Sequence, residues 1–107
     1  MSNASLLVLP VAERDLENHA LFLAGKSPGL DDRFLDAARQ TFQDIAQMPG
    51  LGSPYESLRT ELAGLRIRPV VGFERYLVFY RSAGASVEII RVLHGSQDID
   101  RALRRGL

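Results

Sequence analysis

The dominant hydrophobic period of this chain changes near residue 64, and that change limits what it can fold into. Before it, apolar residues recur at the spacing of a helix face; after it, they alternate as on a strand. Ala12, Leu16, Ala20 and Leu23 form one apolar stripe, with Glu13, Arg14, Glu17 and Asn18 opposite, so a helix is expected over Ala12–Ala24 with Gly25 ending it. A second helix is expected from Ser27 as N-cap and Pro28 as first helical residue. Asp31 and Asp32 place negative charge in its first turn. Its stripe is Phe34, Ala38, Thr41, Phe42, Ile45 and Met48, stopped by Pro49-Gly50. A short connection between two amphipathic helices predicts an antiparallel hairpin.

Gly50–Glu61 is rich in turn residues and reads as a loop. Three strand-like runs follow, Leu65–Val70, Arg75–Arg81 and Ser86–Leu93, joined by links short enough for an antiparallel meander. A short strand over Ser5–Pro10, placed at a sheet edge by its proline, precedes the helices. Asp98–Arg105 can form a short closing helix through Ile99 and Leu103. The order β-α-α-β-β-β, with helices and strands segregated, predicts one α+β domain over residues 1–107 built on a small antiparallel sheet.

Alternation assigns the strand faces. Tyr76, Val78 and Tyr80 point one way, Leu77 and Phe79 the other; Val87, Ile89 and Leu93 share a face, with Ile90 and Val92 opposite. Both faces are then apolar, and two helices cover only one. The second face is expected to stand open as a partner surface, the alternative being cover from the loop and the C-terminal segment.

Composition removes several chemistries. There is no cysteine, so disulfides, thiol nucleophiles and Cys-based metal sites are excluded. Thirteen Lys+Arg balance thirteen Asp+Glu, unlike a basic nucleic-acid tail. The balance is uneven along the chain: residues 1–50 carry four basic and seven acidic groups, residues 51–107 nine and six. Twelve of the thirteen cations are arginine, the side chain suited to pairing with carboxylate or phosphate. No apolar run approaches the roughly 20 residues that span a bilayer, and the N-terminus lacks the basic and apolar regions of a secretion signal. A cytoplasmic location without membrane contact is expected. No phosphate-binding loop, zinc-protease helix or nucleophile elbow is present. Only His19 and His94 could be imidazole ligands, in distant segments, so no metal and no cofactor is expected. His19 falls on the first helical stripe and reads as a packed or boundary residue. One polar constellation remains: His94 with strand arginines such as Arg81 and Arg91 could bind RNA phosphate and move protons, as a metal-independent ribonuclease requires. The alternative is a set of solvated strand-edge charges with a turn-capping histidine.

The succession Leu62-Ala63-Gly64-Leu65-Arg66, Arg68-Pro69-Val70-x-Gly72-Phe73, Tyr76-Leu77-Val78-Phe79-Tyr80-Arg81 and Ile89-Ile90-Arg91-Val92-Leu93-His94-Gly95, after a helix hairpin opening on Ala12-Glu13-Arg14-Asp15-Leu16, resembles the ParE branch of the RelE/ParE toxin superfamily. The resemblance covers nearly the whole chain. It implies the toxin of a type II toxin–antitoxin pair, acting on DNA gyrase by binding and held inactive by a ParD-like antitoxin. That antitoxin's ribbon-helix-helix part would carry the pair to operator DNA. The residues expected to meet gyrase are Arg66, Arg68, Arg101, Arg104 and Arg105, and those expected to take the antitoxin are Leu16, Leu23, Tyr76, Val78 and Tyr80. The RelE branch, which cuts mRNA on the ribosome, is the rival; a relic that binds antitoxin but poisons nothing is a third reading. Ser96-Gln97 stands where ParE-like chains often carry Arg, and Tyr76 where a ribonuclease tends to have Arg.

Overall fold

In the computed structural model, which describes residues 4–57 and 59–106, the helical stripes pack onto a five-stranded sheet. The elements are β1 (Ser5–Val8), α1 (Pro10–Ala24), α2 (Leu30–Gln47), β2 (Ser53–Pro54), β3 (Arg66–Val70), β4 (Phe73–Ala83), β5 (Ser86–His94) and α3 (Ile99–Gly106). A single 3-10 turn, Thr60–Leu62, lies between β2 and β3. The strand order is β1-β5-β4-β3-β2. β3, β4 and β5 form the expected antiparallel meander. The sheet is mixed, however, because β1 joins β5 in parallel. The loop segment β2 occupies the outer edge of β3, which leaves the outer edge of β5 for β1.

Local chemistry explains the helix boundaries. Pro10 is the first residue of α1 and does not end β1, since its fixed φ suits a helix start. Ser27 and Pro28 lie outside α2. Gly29, at φ 80°, is the N-cap, a conformation glycine adopts without penalty. Ser27 instead accepts the Leu30 N–H through its carbonyl at 3.1 Å. Asp31 and Asp32 do sit in the first turn. Met48 falls past the last turn and is exposed. Contacts between Glu13 and Arg39, and between His19 and Phe34, run in opposite sequence directions, so the hairpin is antiparallel.

Two apolar layers result. Between helices and sheet lie Ala12, Leu16, Ala20, Leu23, Phe34, Ala38, Phe42 and Ile45, against Tyr76, Val78, Tyr80, Val87, Ile89 and Val92. Across the sheet, Leu62, Leu65, Phe79, Ile90, Leu93 and Leu103 are all essentially inaccessible. The expectation of an open second face is therefore wrong: the 3-10 turn and α3 cover it. The face assignment in β5 needs correction too. Phe79 pairs with Arg91 while Tyr80 pairs with Ile89, so Ile90 is an extra residue in a β-bulge. The bulge reverses the alternation beyond it, sending Val92 to the helices and Leu93 to the second layer.

The loop before β3 is tied to the core. The Tyr80 hydroxyl accepts the Gly52 N–H and donates to the Pro49 carbonyl, both at 2.7 Å. A Cβ on Gly52 would come within 2.8 Å of the Ile67 carbonyl and the Tyr80 ring; only glycine fits. No helix among the described residues is long and apolar enough to cross a membrane.

Candidate functional site

β1 ends at Val8, but β5 continues to His94, so the outer edge of β5 beyond Ile89 has no strand beside it. Unpaired backbone groups there need other partners. Helix α1 supplies them from one face: Asp15 and His19 are four residues apart and reach the same residue. The Val92 N–H donates to Asp15 Oδ2 at 3.0 Å, and His19 Nε2 donates to the Val92 carbonyl at 2.8 Å. The Asp15 carboxylate also takes Arg91 in a two-pronged pair, Nε at 2.7 Å and Nη2 at 2.8 Å. Arg91 Nη1 then donates to the Ala102 carbonyl in α3 at 2.6 Å. One guanidinium thus links α1, β5 and α3, and Asp15 holds it above its ordinary pKa. The signal for Asp15 was present: it is a charge on the buried side of a helix.

Beside this clasp lies an aromatic stack. The Tyr76 ring stands between two imidazoles, 4.9 Å from His19 and 5.0 Å from His94, and 4.9 Å from Phe34. Burial pushes the Tyr76 phenol up and the His19 imidazole down; for His19 the Val92 hydrogen bond and Asp15 oppose burial, while His94 and Arg91 add to it. His94 closes a compact turn. Its Nδ1 accepts the Ser96 N–H at 3.1 Å, leaving Nε2 as the protonated nitrogen of the neutral ring, and its own N–H donates to Gln97 Oε1 at 2.8 Å.

The lowered pKa of His19 has a definite consequence. The unfolded imidazole titrates at its ordinary 6.5, so below that pH the unfolded chain binds a proton that the fold resists. Stability contributed by neutral His19 is present above pH 6.5 and lost as pH falls through and below it. In His19→Gln, which can still donate to Val92, urea unfolding at pH 7.5 and pH 5 should differ less than in the unaltered chain. An unchanged difference would remove His19 as the cause.

The structure does not assemble the ribonuclease constellation. His94 lies opposite Tyr76, and Arg81 is five residues further along β4, about 17 Å away at strand spacing. Arg81 also shares the strand face of Phe79, away from the helices, and pairs with Glu88 at 2.9 Å. Arg91 is committed to Asp15. The expected target residues separate as well. Arg66 and Arg68 lie opposite Tyr80 and Val78, on the helix side, and Arg66 is anchored to the Gly52 carbonyl at 2.6 Å. Arg101, Arg104 and Arg105 stand on α3, over the other face, with exposed side chains. The five form no single patch. Leu16, Leu23, Tyr76, Val78 and Tyr80, expected to take the antitoxin, are buried in the first core layer and offer little or no surface. Among the described residues no group of three His, Asp or Glu gathers as a metal site.

Comparison with known proteins adds the family. Residues 6–99 match the family described as the ParE toxin of type II toxin-antitoxin system, parDE. The chain is 48% identical over 66 residues to Toxin ParE1 of Caulobacter vibrioides, a stretch covering 59% of this chain and 62% of that relative's length. It superposes on a chain of the chromosomal ParDE TA system from P. aeruginosa with a TM-score of 0.68, covering 85% of this chain and 95% of that one; at 17% identity this is a likeness of fold. A chain of the toxin-antitoxin complex RelBE2 from Mycobacterium tuberculosis gives a TM-score of 0.59 at 30% identity, covering 88% and 93%. The family match runs through both long helices and the whole sheet, everything but most of α3, and the chain belongs to the ParE toxin family of type II toxin–antitoxin systems.

Proposed function

We propose that this toxin acts in the cytoplasm by binding DNA gyrase and arresting it with DNA cleaved, without turnover of its own, and that a ParD-like antitoxin neutralises it and carries the pair to operator DNA. The observation that supports binding over cleavage is that Arg81 lies about 17 Å from His94 at strand spacing, with Arg81 and Arg91 both held by carboxylates. Of the arginines available for a target, Arg104 and Arg105 project from α3 without an ion pair among the described residues. Arg66 serves the Gly52 loop. The α3 pair is therefore the proposed gyrase contact.

Likeness to a chain of the RelBE2 toxin-antitoxin complex keeps the RelE-branch reading, mRNA cleavage, as the second one. The two separate on induction of the chain without antitoxin. Thymidine incorporation is expected to fall before methionine incorporation, with gyrase–DNA cleavage complexes accumulating. Translation failing first, with mRNA cut, would overturn the proposal, and normal growth with folded protein would leave an antitoxin-binding relic. Arg104→Ala/Arg105→Ala is expected to delay the arrest, and full toxicity of that folded variant would remove α3 from the contact.

A further inference from the structure

Two hollows open side by side at the end of β5 and share Gln97 as a wall. The first, about 350 Å³, lies between His19 and Phe22 of α1 and Tyr76 and His94 of the sheet. The second, about 430 Å³, is bounded by Arg91, Arg101 and Arg105 with Asp98 at its rim. Their chemistry differs. The walls of the first are aromatic rings, and Phe22 is 59% exposed although the apolar stripe of its helix is already buried without it. Lys26 Nζ stands 4.9 Å from the Phe22 ring centre, a cation at the outer end.

The second hollow is cationic. Arg91 is neutralised by Asp15, and Asp98 accepts the Arg101 N–H at 3.3 Å, capping α3. What remains is Arg101 and Arg105, four residues apart on one side of the helix and without an ion pair among the described residues. An aromatic hollow continuing into two uncompensated guanidinium groups fits one kind of occupant.

We propose that this groove takes an acidic peptide segment, with one large apolar side chain between Phe22, Tyr76 and His94 and neighbouring carboxylates on Arg101 and Arg105. The inference rests on the reading of the chain as a toxin held by a protein partner, and it gives that partner's segment its chemistry: the part of the antitoxin seated here is acidic and carries an aromatic or long aliphatic anchor. The charges favour a peptide over a nucleic acid. Two free arginines beside a carboxylate, in a chain of zero formal net charge, make no track for a phosphate backbone. Seated there, the segment takes Arg105, one of the two residues of the proposed gyrase contact, so antitoxin and gyrase would compete for α3.

The test is selection of a displayed library of random short peptides on the immobilised full chain. Enrichment is expected for peptides that place Trp, Phe or Leu next to Asp or Glu. The consensus peptide should bind Phe22→Ala and Arg101→Gln/Arg105→Gln at least about tenfold more weakly, and only the arginine variant should lose the salt dependence of binding. Both variants are at the surface, and circular dichroism checks that they fold. Neutral or basic consensus peptides, no enrichment, or binding indifferent to both variants would overturn the proposal. So would an oligonucleotide that displaces the peptide at equal concentration, or a dimer that dissociates in Phe22→Ala, which would make a second copy the occupant. Arrest of DNA synthesis without acidic selection sinks this inference alone. Acidic peptides bound at the groove, with growth undisturbed, sink the toxin reading and leave the groove.

Discussion

Replacing Asp15 with alanine is expected to lower the unfolding free energy by about 3–5 kcal/mol, because it breaks a nearly buried ion pair. The Asp15 carboxylate accepts three hydrogen bonds, from Arg91 Nε and Nη2 and from the Val92 N–H. The paired side chains are only 10% and 12% exposed, so little water is at hand to replace them. With alanine there, the guanidinium keeps one partner, the Ala102 carbonyl, and the Val92 N–H keeps none. An uncompensated charge and an orphaned donor then occupy the same low-dielectric pocket. The double variant Asp15→Leu/Arg91→Met removes the charge problem and should lose less than the two single variants together, because only the backbone groups stay unpaired. Urea unfolding of the four proteins closes the cycle. A loss below about 1 kcal/mol for Asp15→Ala would mean the pair is solvated and that the edge of β5 is sealed by something else.

The same residue shows what the sequence could and could not reveal. Helical stripes and strand alternation placed α1, α2 and the meander because each element must bury one side, and period records which side. Resemblance of ordered motifs then pointed to the family. Asp15 lies on the buried side of α1 and its charge was a usable sign of a partner, but the partner is 76 positions away. No local pattern pairs it with Arg91. The β-bulge at Ile90 was equally silent. It depends on register between two strands, and one inserted residue exchanges the faces of Val92 and Leu93 while leaving the sequence a regular alternation. Ser27-Pro28 looked like a helix start, yet Gly29 is the cap, because the five-residue connection needs a positive φ that serine resists.

The burial of the residues expected to take the antitoxin has a related cause. For Tyr76, Val78 and Tyr80, an apolar strand face looks the same in sequence whether a partner chain or the protein's own helices cover it. Val78 and Tyr80 are wholly buried beneath α1 and α2, and Tyr76 keeps only a margin in the hollow beside Phe22 and His94 where the proposed peptide would sit. His94 held its place at the end of the last strand but without its expected companions. A catalytic group needs neighbours within hydrogen-bond reach of one reacting atom, and strand geometry sets Arg81 far from it.

Leu103→Ala is expected to cost about 2–5 kcal/mol and to loosen α3 before the rest of the chain. Leu103 is wholly buried against Phe79, Ile90 and Leu93, and it is the one fully buried side chain that α3 contributes. An eight-residue helix has no independent stability in water. α3 is held by Leu103, by Arg91 on the Ala102 carbonyl, and by Asp100, which accepts the hydroxyls of Tyr55 and Ser57. Burial and that carboxylate push the Tyr55 phenol up to about 12. With the anchor removed, the polar ties face water competition on a helix that no longer gains by packing. Amide protons of residues 102–106 should then exchange fastest, and an apolar dye should bind the uncovered layer while β4 and β5 stay protected. Exchange rising equally across the sheet would mean instead that α3 and the meander unfold as one unit. The functional readout follows from position. If Arg104 and Arg105 meet the target as an ordered pair, Leu103→Ala weakens growth arrest even at temperatures where the sheet is intact; arrest at full strength would show that the arginines need no helix to present them.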